Sequence, residues 1–270
     1  MNDVTPRDHP THALLASDEP APWTVHNPDG RAPVLVVCDH ASAFVPRAFG
    51  QLGLESHHFE RHIAYDPGAA AVARRLAGHL DAACVCSHFS RLLIDPNRQL
   101  DDPTLVPTVA ENTVIPGNRG LAESAVRRRV ETFFEPYHAE LARRLDALEA
   151  RGSAPVLISV HSFTPVMHGR ERPWEIGVLW DEDTRLAAPF MDAMRERGHV
   201  VGDNEPYSGR HGHGYTTNVH GDGRGLANLL LELRQDLLRT TGQQQAWADT
   251  LASELATLLK DPDLYRARTD

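Results

Sequence analysis

The strongest constraint in this chain is the alternation of short, uninterrupted apolar runs with amphipathic helical stretches. Residues 34–38 (VLVVC) form a continuous Val-rich run, the pattern of a central parallel strand buried on both faces. Residues 67–80 carry apolar groups at 69, 72, 73, 76, 77 and 80, which is helical spacing. Asp66 and Pro67 read there as N-cap and first helical position. A second strand follows at 83–88. Residues 121–150 read as one long helix, with Val126, Val130, Phe133, Tyr137, Leu141, Leu145 and Leu148 on one stripe. Pro136 is expected to kink it and Gly152 to stop it. Further strands are expected at 155–160, 174–180, 199–202 and 228–233, and helices at 183–197 and 243–260. Segments 89–120 and 203–225 lack periodicity and read as long loops, which inside a compact domain are usually functional. The alternation predicts an α/β fold, a mostly parallel sheet with helices on both faces. No repeat, linker or charge block divides the chain. It is therefore expected to form a flexible N-terminal arm over 1–22 and a single domain over 23–270.

Composition narrows the chemistry. The chain has 27 basic and 37 acidic residues, a net charge of −10. That argues against nucleic-acid and anionic-membrane partners, which need clustered Lys and Arg. Nothing in the first thirty residues resembles a signal peptide, and no run is long enough to span a bilayer, so a cytoplasmic location is expected. Three Cys against sixteen His disfavour thiolate sites and disulfides. Cys84 and Cys86 read as small buried strand residues, and Cys38 as buried rather than nucleophilic. A metal site, if there is one, must be built from His and carboxylates.

In open α/β sheets ligands bind beyond the carboxyl ends of the strands. His40 follows the strand at 34–38, Asp66 precedes a helix, and His161 follows the strand at 155–160. Two imidazoles and a carboxylate suit Zn2+ or another divalent transition metal with one position left open, as in catalytic sites. Taken singly, Asp66 fits a helix cap better than a ligand, and each His could equally hold a loop. Glu232, a charge among four Leu, is costly there unless paired or functional, and is the candidate general base. His62, Asp39 and Ser162 are supporting partners or alternative ligands. In SRLLIDPNRQLDD, the side chains of Arg91, Asn97 and Arg98 could grip a carboxylate-bearing substrate, or could form a salt-bridged surface loop with the Asp residues. The Gly- and His-rich stretch 203–220 reads as a covering loop, with Arg210, His211 and Tyr215 facing the substrate. G-x-S-x-G, H-E-x-x-H, P-loop and Rossmann patterns are absent.

In order along the chain, VCDHAS, RHIAYDPGA, SRLLIDPNR, IPGN, PYH, HSFTPV with RPWEIG, DNEPYSG and LELRQDL resemble the N-formylglutamate amidohydrolase family, over about residues 33–238. The likeness is closer to a divergent branch of it. The resemblance implies a three-layer α/β/α sandwich, phosphorylase/hydrolase-like and similar to the zinc exopeptidases. It implies a zinc-dependent hydrolase of linear amides, with N-formyl-L-glutamate cleaved to formate and L-glutamate as the leading activity. By role, His40, Asp66 and His161 look like the metal ligands and Glu232 like the base. Asn97 with Arg98 looks like the carboxylate grip, and Arg91 like an oxyanion partner. Two other readings stay open. One is a zinc amidase or carboxypeptidase-like hydrolase of another N-acyl amino acid or a short peptide. The other is a non-catalytic small-anion binding protein on the same fold. The oligomeric state is not read from the sequence.

Overall fold

A computed structural model describes residues 13–210 and 214–269. Its strands are β1 (Trp23–His26), β2 (Val34–Cys38), β3 (Ala83–Ser87), β4 (Val109–Ala110), β5 (Thr113–Val114), β6 (Val156–Phe163), β7 (Val166–Met167), β8 (Arg170–Glu171), β9 (Ile176–Leu179), β10 (Val201–Asp203) and β11 (Asn228–Arg234). Its α-helices are α1 (Ala69–Leu80), α2 (Glu123–Arg129), α3 (Glu135–Glu149), α4 (Ala187–Glu196), α5 (Tyr215–His220) and α6 (Thr241–Leu258). Seven strands make one mixed sheet in the order β1-β3-β2-β6-β11-β9-β10. β2, β3, β6 and β11 run parallel, whereas β1 pairs antiparallel with β3, and β9 antiparallel with β11. The fold is the expected three-layer α/β/α sandwich.

Strand alternation divides the core. Val34, Val36, Cys38, Cys84, Cys86, Ile158, Val160, Leu229 and Leu231 pack under α1, α4 and α6. Leu35, Val37, Val85 and Leu157 face the other side, against Phe133, Tyr137, Leu141 and Leu145. From β2 the chain passes over one face, through α1, to β3. It then crosses the opposite face, through α3, to β6 on the far side of β2. The β2–β6 boundary is therefore the point where strand order reverses, and a crevice opens there above the strand ends.

Several expectations are corrected. Residues 123–149 are helical throughout, as expected, but not uniformly α-helical. A π-helical turn at Val130–Phe134 joins α2 to α3 directly before Pro136, which has no backbone N–H to continue the regular ladder. The stretch 203–225 is not all loop, since α5 lies within it. Strand β1 was not anticipated. Of the expected arm, residues 1–12 lie outside the described residues. Residues 13–22 are anchored, with Leu14 buried and the Glu19 carboxylate accepting from the Ala16 and Arg47 amides. Helix α6 opens with a capping box between Thr240 and Gln243. Among the described residues no helix is long and apolar enough to cross a membrane.

Candidate active site

β2 ends at Cys38 and leaves Asp39 and His40 at the crevice, while β6 carries His161 up beside them. The two rings meet edge to face with centroids 4.8 Å apart. Each ring is held at Nε2 by a buried carboxylate. His40 Nε2 donates to Asp95 Oδ1 at 2.7 Å, and His161 Nε2 donates to Asp39 Oδ2 at 3.0 Å. Both Nδ1 atoms are thereby turned toward one point, 3.1 Å apart. Asp66 Oδ2 completes the group, 3.3 Å from His40 Nδ1 and 2.9 Å from His161 Nδ1.

Asp66 is not a helix cap. Gly68 stands at the N-cap of α1, and the Asp66 side chain instead accepts from the Ser162 amide at 3.2 Å and from Arg91 Nη1 at 3.5 Å. Burial opposes ionisation of Asp66, but the two imidazoles beside it hold its carboxyl below the usual range. Burial would lower the His161 pKa, yet hydrogen bonds and charge from Asp39 and Asp66 raise it well above the usual histidine value. His40, Asp66 and His161 are the group among the described residues whose donor atoms converge as metal ligands do. Their mutual spacing is close to the roughly 3.3 Å between vertices of a tetrahedral site with bonds of about 2.0–2.1 Å. Asp66, Asp95 and Glu232 line the site together with Arg91 and Arg98, so carboxylates crowd around the two imidazoles.

Asp39 deserves its burial only because it is saturated. Besides His161 it accepts hydroxyl hydrogen bonds from Ser159 (3.1 Å), Tyr137 (2.9 Å) and Thr216 (2.6 Å). Those donors come from β6, α3 and α5. Sequence reading missed all three hydroxyls, because nothing local marks them. Asp95 is likewise clamped by Arg91 Nε and Nη2 at 3.2 and 2.7 Å. Arg91 is therefore already committed to carboxylates, which weakens its assignment as an oxyanion partner.

Glu232 is a Cα partner of His161 in the parallel β6–β11 register. Side chains at such positions share a face, so the carboxyl reaches the same crevice. It is buried, and its Oε2 has no hydrogen-bond partner among the described residues. Burial pushes its pKa up to about 7.

These groups line a cavity of about 290 Å³. His62, Arg91, Asn97, Arg98 and Ser162 line it too. Asn97 is fixed by accepting the Thr216 amide at 3.1 Å, and His62 Nε2 sits 3.0 Å from Glu111 Oε1, away from the ligand cluster. Arg210 does not enter the cavity, because its guanidinium lies over the Trp180 ring. Tyr215 packs between Phe134 and His138 rather than facing the cavity. His211 lies outside the described residues. Tyr207, missed in the sequence, is on the cavity wall.

A twisted, mostly parallel sheet with a His–Asp–His cluster and an isolated carboxyl at its switch point defines a hydrolase-like α/β/α sandwich with a candidate metal centre. The family profile for N-formylglutamate amidohydrolase matches residues 32–239, and the chain belongs to that family. The N-formylglutamate deformylase of Pseudomonas putida is 26% identical over 201 residues, covering 68% of this chain and 74% of that protein. Among solved structures, a gene product of Agrobacterium tumefaciens superposes with a TM-score of 0.89 at 36% identity, covering 92% of this chain and 98% of that one. The N-formylglutamate amidohydrolase of Ralstonia eutropha shares the fold at a TM-score of 0.59 and 21% identity, with 88% and 96% covered.

Proposed function

We propose that this chain is a metal-dependent amidohydrolase that cleaves N-formyl-L-glutamate, or a closely related N-acyl amino acid, to the free acid and the amino acid. The observation that carries the reading is the convergence of two Nδ1 atoms and one carboxylate oxygen beside Glu232, whose Oε2 has no hydrogen-bond partner among the described residues. Family membership supplies the substrate class.

His40, Asp66 and His161 would hold the metal, with zinc the best match to two nitrogens and one oxygen. Bound there, zinc would acidify a water and polarise the amide carbonyl. Asp39 and Asp95 keep both imidazoles in the tautomer that presents Nδ1. Glu232 Oε2 takes a proton from the attacking water and returns it to the leaving amine nitrogen, for which a pKa near neutrality is suited. Asn97 and Arg98 face the cavity and hold a substrate carboxylate, with the Arg91 charge close by. Retention of a buried, unpaired acid disfavours pure anion binding, since binding needs no such group.

The test is metal analysis of purified protein together with formate release from N-formyl-L-glutamate. The expected result is about one metal per chain, turnover abolished by a chelator and restored by zinc. Folded protein that binds no metal would overturn the reading. A panel of other N-acyl amino acids reports the acyl preference.

A further inference from the structure

We propose that Tyr207 is a catalytic hydrogen-bond donor to the oxygen that gains charge when the substrate amide is attacked. The proposal rests on the amidohydrolase reading above. Gly177 is a Cα partner of both Glu232 on β11 and Gly202 on β10. A Cβ on Gly177 would stand 2.1 Å from the Glu205 carbonyl oxygen, and one on Gly202 would stand 2.6 Å from it. The two glycines thus make a flat place on the sheet where the turn before Tyr207 rests, directly beside Glu232. Asn204 braces that turn, its Oδ1 accepting from the Trp180 and Gly209 amides at 3.1 and 2.9 Å. The outcome is a mostly buried phenol on the cavity wall, close enough to Glu232 and Arg91 to feel both charges.

The hydrogen-bonding of the phenol is directional. Arg172 does not line the cavity, yet its Nη1 donates to Tyr207 Oη at 3.0 Å, and its guanidinium lies 4.9 Å from the ring centroid. A guanidinium has no acceptor, so the Tyr207 hydrogen cannot point back along that bond. The hydroxyl donates to no acceptor among the described residues, and a cation behind it strengthens it as a donor. It is a held donor aimed where a substrate would sit, whereas the Arg91 guanidinium is taken up by Asp95 and Asp66.

In the step, water oxygen bonds to the carbonyl carbon and its proton passes to Glu232. The carbonyl π pair moves onto oxygen, where the Tyr207 O–H donates without giving up its proton. The pair then re-forms the double bond, the C–N bond breaks, and the nitrogen takes the proton from Glu232. Loss of one such donor typically costs 10²–10³ in kcat.

The experiment compares wild type, Tyr207→Phe and Arg172→Met as metal-loaded protein, by formate release from N-formyl-L-glutamate. Circular dichroism and thermal melts check the fold. We expect Tyr207→Phe to lower kcat at least thirtyfold with KM within threefold, and Arg172→Met to show a smaller loss of the same kind. If wild type turns over and Tyr207→Phe stays within threefold in kcat, the Tyr207 assignment alone is overturned. A tenfold rise in KM with kcat unchanged also overturns it, since that marks ground-state binding. A wild type that hydrolyses no N-acyl amino acid overturns the amidohydrolase reading, and this assignment falls with it.

Discussion

His161 and Glu232 sit opposite one another in the parallel register of two central strands, so an imidazole and an unpaired carboxyl project side by side from the same face of the sheet. Strand geometry alone delivers this pairing. A shift of one residue in either strand would send one of the two side chains into the core under α1 and α6. Both side chains are thereby held on central strands of the sheet rather than on loops.

Glu232→Gln keeps shape and removes the base. Formate release should fall at least a hundredfold in kcat, in line with the usual worth of general base catalysis. The melting temperature should hold or rise, because the variant no longer buries an ionised group without a partner. A kcat within threefold of wild type would remove Glu232 from the mechanism.

The same carboxyl sets a pH dependence. The working form is deprotonated, so kcat/KM should rise with pH through an acidic limb. Burial puts the limb at about 7 for the carboxyl itself, and a bound cation nearby moves it lower, never higher. For metal-free protein the linkage runs the other way. A raised folded pKa means the native state holds the proton between about 4.5 and 7, so stability declines across that window as pH rises. Denaturant titrations of wild type and Glu232→Gln at pH 5 and 8 should differ in slope, with wild type losing more stability, or gaining less, than the variant from pH 5 to 8.

Asp39 touches no substrate-facing atom but orients His161. Asp39→Asn should weaken metal affinity by about 10–100-fold, measured against a competing chelator. It also replaces one acceptor of three hydroxyls with an amide, so a fall in stability is expected. Unchanged metal affinity would show that the carboxylate does not set the imidazole.

His138 and His220 form a second histidine pair, with Nδ1 and Nε2 3.0 Å apart, and His138 Nε2 donates to the Pro96 carbonyl at 2.8 Å. Burial lowers both pKa values to about 4. The unfolded chain takes up protons near 6.5 while the native pair does not, so stability should fall as pH drops from about 6.5 toward 4. The loss is of the order of a few kcal/mol, and a His220→Asn variant should show a shallower decline in chemical denaturation between pH 7 and 5.

Arg129 is fully buried and ties the long loop together, donating to the Leu93 carbonyl and Asn118 Oδ1, both at 2.7 Å. Burial lowers its pKa to about 9. Arg129→Met should cost about 2–4 kcal/mol by leaving those acceptors unpaired, and should raise KM because the same loop carries Asn97 and Arg98. A melting temperature within a degree of wild type would contradict the anchoring role.

Much of the architecture is legible along the chain. The unbroken apolar run at 34–38 and the 3.6-residue spacing in 69–80 are local: the first marks a strand buried on both faces, the second the face of a helix that meets the core. His40 stands just past the end of β2 and Glu232 is conspicuous among Leu residues, so their positions follow from local pattern, whereas His161, expected just past a strand ending at residue 160, lies inside β6, which runs on to Phe163. What local pattern does not contain is pairing at a distance. Asp66 looks like a cap until α1 is seen to start at Gly68 and the carboxylate to reach His161, 95 residues away. Asp39 is held by Tyr137 and Thr216, 98 and 177 residues along the chain, and Arg210 and Tyr215 turn away from the cavity onto aromatic partners. By itself the sequence determined the elements, their buried faces and the strand ends at which chemistry is possible. The tertiary structure decided which carboxylate orients which imidazole, which arginine is already spent, and that Tyr207 reaches the cavity. Periodicity encodes how each element meets the core, whereas the crossover connections alone bring side chains from separate elements within hydrogen-bonding distance.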